Sequence, residues 1–429
     1  MKYQSPKGTR DLLPAELERW RSVEEAARRT ARLYGYGEIR TPTFEQVELF
    51  ARAVGDATDI VEKEMYVFET AGGDRFALRP EATASVCRAY IEHGLHRTNP
   101  FQKFWYSGPM FRHDRPQAGR YREFRQFGVE AIGWAGPDID AEVVALGAEV
   151  ITGAGVKDVR VKLNSIGCNS PDCRPAFRER LRLYLAERKD RLCGDCKGRL
   201  DRNVLRILDC KVPTCRQVAA EAPKPADNLC PACAEHFSTV KESLKGLKVS
   251  FEVDPMIVRG LDYYTRTVFE YFVTGAEGSQ DALGAGGRYD GLIELIGGPA
   301  TPAIGFALGL DRIVERATGD VTPEAAGVDV FVIPQSREQM ADASACATIF
   351  RCGGMSTALG YGDRSFKAQM RMADRSGADH AVIIGPDEAA KGTVQIKPLK
   401  EKAGQIEVKR ENLAEWVREF AIKRKEKKA

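Results

Sequence analysis

The chain has 429 residues, 43% hydrophobic and 29% charged, with a net charge of only +3. That composition belongs to an ordinary globular protein with room for two or three domains, and it excludes a disordered or fibrous chain. No apolar run approaches the ~18–20 residues of a membrane span, and the N-terminus "MKYQSPKGTRDLLPAE" lacks the apolar core of a secretory signal, so a cytoplasmic location is expected.

In chain order, Pro14 opens an amphipathic helix over 14–36 that Gly35 closes. "GEIRTPTFEQVELF" reads as a strand broken by Pro42. "EMYVFETAGGDRFALRP" reads as a hairpin turning at Gly72–Gly73, and "PEATASVCRAYIEHG" begins a helix just past Pro80. Residues 101–134 carry two long strands joined by "RPQAGR"; a helix over 139–154 and a strand over 158–164 follow. Residues 167–248 change character, with cysteines from Cys168 to Cys233 set among charged helical stretches. They read as a Cys-rich subdomain inserted into a sheet that resumes at 249. "MIVRGLDYYTRTVFEYF", Met256–Phe272, reads as strand throughout, with more charge than a buried sheet accepts without a ligand or partner. "PAIGFALGLDRIVERATG" passes from strand to helix, and "GDVTPEAAG", 319–327, has the Gly, Pro and Asp content of a linker. Beyond it, strand and helix alternate as in a small α/β domain. The expected class is α+β. Residues 1–166 and 249–318 would form one discontinuous domain, 167–248 the insert, and 328–429 the C-terminal α/β domain.

Charge is unevenly spread. Basic residues from Arg97 to Arg125 outnumber Asp114 and Glu123, and they are interleaved with Phe101, Phe104, Trp105, Tyr106, Phe111, Tyr121 and Phe124. That mixture suits an anionic ligand with a ring, a nucleotide or RNA. From Lys400 to Ala429 there are ten Lys/Arg against six Glu. A solvated face explains that tail equally well when it is taken alone.

Side chains repeat every two residues along a strand, so Gln126, Gly128 and Glu130 share a face, and antiparallel pairing would bring Arg112 near them. A cross-strand ion pair would account for this group too, but its neighbours are Met, Phe, Val, Ala and Ile. Glu81 either complements a helix dipole, worth ~0.3–1 kcal/mol, or holds a substrate ammonium. Gly305 and Gly309 allow close approach, and Arg312 is the strong cation near that turn. There is no G-x-x-x-x-G-K-[ST] phosphate loop. The cysteines fall into four pairs: Cys168-x4-Cys173, Cys193-x2-Cys196, Cys210-x4-Cys215 and Cys230-x2-Cys233. The repeated C-x2-C makes Cys193, Cys196, Cys230 and Cys233 candidate zinc ligands. Two four-Cys sites would use all eight, the partners within each stay open, and free buried thiols are the alternative.

Seven stretches, "GTRDLLP", "IRTPTFE", "LRPEATA", "GPMFRHDRPQAGRYREFRQFGVE", "RGLDYYT", "GGRYDGLI" and "IGFALGLDRI", closely resemble the histidyl-tRNA synthetases, a family of class II aminoacyl-tRNA synthetases. The resemblance covers essentially the whole chain. It implies the class II antiparallel sheet flanked by helices, a C-terminal anticodon-binding domain, and ATP with Mg²⁺ as the substrate complex. It also implies L-histidine and tRNA(His) as further substrates, a homodimer, and no membrane association. Arg112 would clamp the α-phosphate. Arg259 would lie by that phosphate and the histidine carboxylate, and Arg312 by the ATP tail or the adenine. Glu81, Thr83 and Gln126 would surround the histidine amino and carboxylate groups. Glu130 and Tyr264 would bracket the imidazole, with Tyr263 and Tyr289 lining the pocket. "RPQAGR" would reach toward the acceptor end of tRNA. Zinc, if present, would be structural. The competing reading is a histidine-sensing paralogue like the regulatory subunit of ATP phosphoribosyltransferase, which usually lacks the C-terminal domain and parts of the adenylate-forming set.

Overall fold

The computed structural model describes residues 3–55, 58, 60–115, 119–258, 263–274, 282–318, 327–361, 364–401 and 403–428. It divides into two compact units, Met1–Asp320 and Val321–Ala429.

The strands of the first unit are β1 (Gly37–Glu38), β2 (Phe44–Gln46), β3 (Val67–Glu69), β4 (Arg75–Leu78), β5 (Gln102–Phe111), β6 (Glu123–Ile132), β7 (Val159–Ser165), β8 (Phe251–Val253), β9 (Thr265–Val273), β10 (Ala282–Arg288) and β11 (Ala303–Gly309). Its helices are α1 (Pro14–Leu33), α2 (Val47–Val54), α3 (Thr83–Glu92), α4 (Leu95–Thr98), α5 (Pro137–Gly153), α6 (Arg174–Ala186), α7 (Gly194–Arg202), α8 (Pro213–Ala220), α9 (Pro231–Gly246), α10 (Leu292–Leu295) and α11 (Leu310–Arg316). An eight-stranded sheet runs β1-β5-β6-β11-β10-β9-β7-β8, antiparallel except at its two edges, where β1 joins β5 and β8 joins β7 in parallel. A smaller sheet, β2-β4-β3, stands beside it.

The period of two sorts side chains between two cores. Trp105, Phe127 and Val129 join α1 and α5 in one, while Tyr106 and Met110 join α3 and the insert in the other. Central strands therefore carry apolar residues on both faces, and polar side chains survive there only where they are paired or face a cavity.

Two expectations are corrected. "VELFARAV" ends the supposed strand after Pro42 as helix α2. Phe50, Ala53 and Val54 lie at helical spacing and are all buried, so packing decides over β propensity. Among the described residues of Met256–Phe272, only those from Thr265 are strand; Met256, Ile257 and Val258 lie outside any strand, as do Tyr263 and Tyr264. The entry into β9 uses a left-handed backbone at Arg266, φ 50°. Such strain costs on the order of 1–3 kcal/mol and needs outside support. Reciprocal bonds supply it: Ile166 N–H donates to the Arg266 carbonyl and Arg266 N–H to the Gly167 carbonyl, both at 2.8 Å.

Between β7 and β8 the described chain is helical, α6 to α9 with short turns. The Cys-rich segment thus leaves the sheet at one strand and returns beside it. It is riveted to α5, the helix packed on the sheet, by His236 on α9, whose Nε2 lies 2.8 Å from Asp140 Oδ2. Asp140 also receives Thr267 Oγ1 at 2.6 Å and the Arg288 Nε–H at 3.0 Å.

The second unit contains β12 (Val330–Pro334), α12 (Met340–Cys352), β13 (Thr357–Leu359), α13 (Phe366–Arg375), β14 (His380–Ile384), α14 (Pro386–Lys391), β15 (Thr393–Pro398), β16 (Ile406–Lys409) and α15 (Leu413–Lys428). Its sheet runs β13-β12-β14-β15-β16, with the first three strands parallel and the rest antiparallel. Among the described residues no helix is long and apolar enough to cross a membrane.

Candidate active site

A cavity of about 550 Å³ opens over β6, β9, β10 and β11, with the start of α3 and the end of β5 at its side. It is lined by Glu81, Thr83, Arg112, Gln126, Glu130, Tyr263, Tyr264, Tyr289 and Arg312 among others. Nine residues singled out by the sequence, from five separate stretches, meet there. Arg259 and Asp262 lie outside the described residues.

Glu130 sits at the floor, 1% exposed. Its carboxylate accepts hydroxyls from Thr83 at 2.7 Å, Tyr106 at 3.3 Å and Tyr289 at 2.5 Å. Burial pushes its pKa up to about 8, against the pull of those donors, and nearby Glu81 adds to the rise. The room for Glu130 comes from its partner across the sheet. Gly305 pairs with it in register, and a Cβ there would lie 1.8 Å from Glu130 Oε2. Gly128 similarly clears the Tyr106 hydroxyl, 2.3 Å from where its Cβ would stand.

Glu81 performs the capping role considered for it: its carboxylate accepts the Thr83 N–H at 2.7 Å and the Ala84 N–H at 3.0 Å, at the start of α3. Burial raises its pKa as well. Gln126 has a buried Oε1 with no hydrogen-bond partner among the described residues. An orphaned acceptor at a cavity wall is costly unless a ligand donates to it. Tyr263 packs against Tyr264 with ring centres 4.7 Å apart and meets Tyr289 edge-on at 5.7 Å. These rings form the apolar wall of the polar floor.

Arginines also line the cavity. Arg112 donates Nε–H to the Pro80 carbonyl at 2.9 Å and lies over the Phe124 ring at 5.3 Å. Arg312, on α11, donates to the Gly119 carbonyl at 3.2 Å and the Ala282 carbonyl at 2.6 Å. Burial lowers both guanidinium pKa values, against Glu64 and Glu81 at Arg112; at Arg312 the charges of Arg120 and Arg316 add to the fall. The arrangement suits a ligand with a phosphate chain at one end and a small polar ring, able to donate and accept, at the other.

Sequence reasoning passed over two groups. Arg10 of "GTRDLLP" bonds Asp311 of "GLDRI" at 3.2 Å and lies over Tyr121 at 4.6 Å, tying the N-terminal segment to the Arg312 turn. Arg206 of the insert lines the cavity. The zinc candidates also regroup: Cys193, Cys196, Cys230 and Cys233 do not form one site. The structure gathers Cys168, Cys173, Cys230 and Cys233 in one cluster and Cys193, Cys196, Cys210 and Cys215 in another, sulfurs within 4.8 Å in each. The two C-x2-C pairs are held apart by their helices, and each closes on a C-x4-C pair instead.

An antiparallel sheet with this cavity on it, flanked by helices and followed by a separate α/β unit, defines a class II aminoacyl-tRNA synthetase. The histidyl-tRNA synthetase family model matches residues 8–313, and an anticodon binding domain model matches 329–420. The histidine–tRNA ligase of Pelotomaculum thermopropionicum is 47% identical over 425 residues, covering 98% of this chain and 99% of its own. That of Desulforudis audaxviator is 49% identical over 403 residues, covering 93% and 94%. The apo histidyl-tRNA synthetase of S. aureus superposes with a TM-score of 0.80 at 33% identity, covering 97% of this chain and all of that one. The chain belongs to the histidyl-tRNA synthetase family.

Proposed function

We infer that this chain activates L-histidine with ATP to give histidyl-adenylate and pyrophosphate, then transfers histidine to the 3′ end of tRNA(His). Near full-length likeness to named histidine–tRNA ligases, C-terminal unit included, favours this over the regulatory reading. The observation that carries it is one cavity lined both by a buried carboxylate held by tyrosine hydroxyls and by part-buried arginines.

In the first step two anions approach, the histidine carboxylate and the α-phosphate. Arg112, and Arg259 by its motif, would neutralise them as charge builds on phosphorus. Arg312 would hold the ATP tail or adenine. Magnesium would enter with ATP; Glu270, which lines the cavity, is one of the carboxylates whose charge reaches Arg312. Glu81 has lone pairs left beyond its two capping bonds for the histidine ammonium; Thr83 and Gln126 stand beside it. Glu130 and Tyr264 would satisfy the imidazole's donor and acceptor, with Tyr289 fixing Glu130. A site that pairs both rejects apolar amino acids, because its own buried groups would go unpaired.

The second unit would read the anticodon. Exposed Tyr361 and Phe366 stand close in sequence to Arg364, Lys367 and Arg371, an arrangement for base stacking beside phosphate. The basic C-terminal tail adds to it, and tRNA affinity should fall with salt. The protein would act in the cytoplasm as a homodimer, for which exposed Phe44, Val67 and Phe68 on the small sheet offer an apolar face. The insert would carry structural zinc at its cysteines.

ATP–pyrophosphate exchange with each amino acid in turn tests the reading. Exchange is expected with histidine alone and is lost in Arg259→Ala, which should fold normally. Exchange with no amino acid, or an active Arg259→Ala, would sink it. Light scattering on the same sample should give about twice the 47.4 kDa chain mass.

A further inference from the structure

The insert sends one side chain into the active-site cavity, Arg206. It stands on the helical turn Val204–Ile207. On one side of that turn are Cys193 and Cys196, on the other Cys210 and Cys215, and the four sulfurs converge within 4.8 Å. Cys193 Sγ and Cys210 Sγ lie 4.0 Å apart, and the Cys193 N–H donates to Cys215 Sγ at 3.2 Å. A tetrahedral zinc with bonds of about 2.3 Å places its sulfurs about 3.8 Å apart, so four thiolates here need almost no movement to take one. None of the four is in a disulfide, and Cys196, Cys210 and Cys215 are buried.

The turn is also fixed on its other side. Val204 and Ile207 are buried in the core cluster that contains Tyr263 and Tyr264. Arg206 therefore stands between a four-cysteine site and the wall of the cavity. Its side chain is only 24% exposed. Its Nε is buried without a hydrogen-bond partner among the described residues; Asp209 Oδ1, 3.7 Å from that nitrogen, makes an ion pair with it but is too far for a hydrogen bond. A guanidinium kept largely out of water with an unmet donor is costly unless a ligand completes it. The ligands this cavity takes carry phosphates.

We propose that Arg206 binds a substrate phosphate, and that a zinc ion on Cys193, Cys196, Cys210 and Cys215 holds it in place, so that metal loading of the insert sets the competence of an active site whose own chemistry uses no zinc. The proposal rests on the synthetase reading above. The phosphate belongs either to ATP or to the 3′ end of tRNA, and two measurements separate these. Pyrophosphate exchange without tRNA reports on ATP; single-turnover transfer from preformed histidyl-adenylate reports on tRNA.

Arg206→Ala should keep the wild-type melting temperature and zinc content and lose about tenfold or more of kcat/KM in one arm, with Arg206→Lys regaining part. Cys210→Ser should lose one zinc per chain and fall in the same arm. The double variant should be no worse than the poorer single, because both remove one interaction. Activity within twofold of wild type in both arms for Arg206→Ala overturns the phosphate role. Wild-type protein free of zinc, or Cys210→Ser with unchanged zinc, overturns the metal. A double variant with multiplied losses overturns the coupling. Zinc content, and calorimetric ATP affinity of wild type against Arg206→Ala, report on the proposal even without exchange, so its failure is distinct from that of the synthetase reading.

Discussion

Glu130 and Asp140 are carboxylates of the same unit, both buried to 1% or less, yet their surroundings are opposite. Asp140 meets the Arg288 guanidinium, the His236 ring and a hydroxyl from Thr267. Its pKa falls despite complete burial, through the His236 bond and the charge of Arg288. Among the described residues Glu130 meets hydroxyls alone, and its pKa rises. A buried acid with cations on its own chain is finished as a structure. A buried acid with only neutral donors is held in place and left for a ligand to complete.

The sharpest break of that comparison is Arg288→Met. It strands Asp140 as a buried charge and should cost about 3–5 kcal/mol by denaturant unfolding. A loss under about 1 kcal/mol would mean that Asp140 is no rivet.

Glu130→Gln should do the reverse. Stability should change by less than about 1 kcal/mol near neutral pH or improve, while kcat/KM for histidine in exchange falls about a hundredfold or more. The pH dependence follows from the signs. Glu130's folded pKa lies above its unfolded value, so the stability it contributes is full below that lower value and is lost as pH rises through about 8. Relative to wild type, Glu130→Gln should gain stability across that window. Asp140's folded pKa is depressed, so its contribution stands above the unfolded value and is lost as pH falls through the folded one.

The smallest effect is a proton count. If histidine is read by ionised Glu130, binding at pH 7 must expel most of a proton. Calorimetry in buffers of different ionisation enthalpy should find somewhat under one proton released by wild type, and about none by Glu130→Gln. Equal counts in the two proteins would place the imidazole elsewhere.

Much of this was legible from local pattern. The long strands β5 and β6 announce themselves by length, alternation and aromatic content, and β11 running into α11 by Gly305 and Gly309. Residues at spacing two on β6 had to share a face, which put Gln126 and Glu130 together. Helix α2 was missed because Val47 and Phe50 suit a strand equally well, and only burial among neighbours from α3 and β2 decides. The aromatic residues of Met256–Phe272 suit a strand throughout, whereas Tyr263 and Tyr264 lie outside any strand and line the cavity.

By itself, the sequence determined the family, the order of strands and helices over most of the chain, and nine of the residues gathered in the cavity, because short-range periodicity and motif wording depend on neighbours in the chain. Tertiary structure alone decided which cysteines share a site, that Arg288 and His236 close on Asp140, that Gly305 exists to admit Glu130, and that Arg206 crosses from the insert to the cavity. Those are contacts between segments far apart in the chain. Their geometry follows from how sheet and insert pack together, which no local spacing encodes.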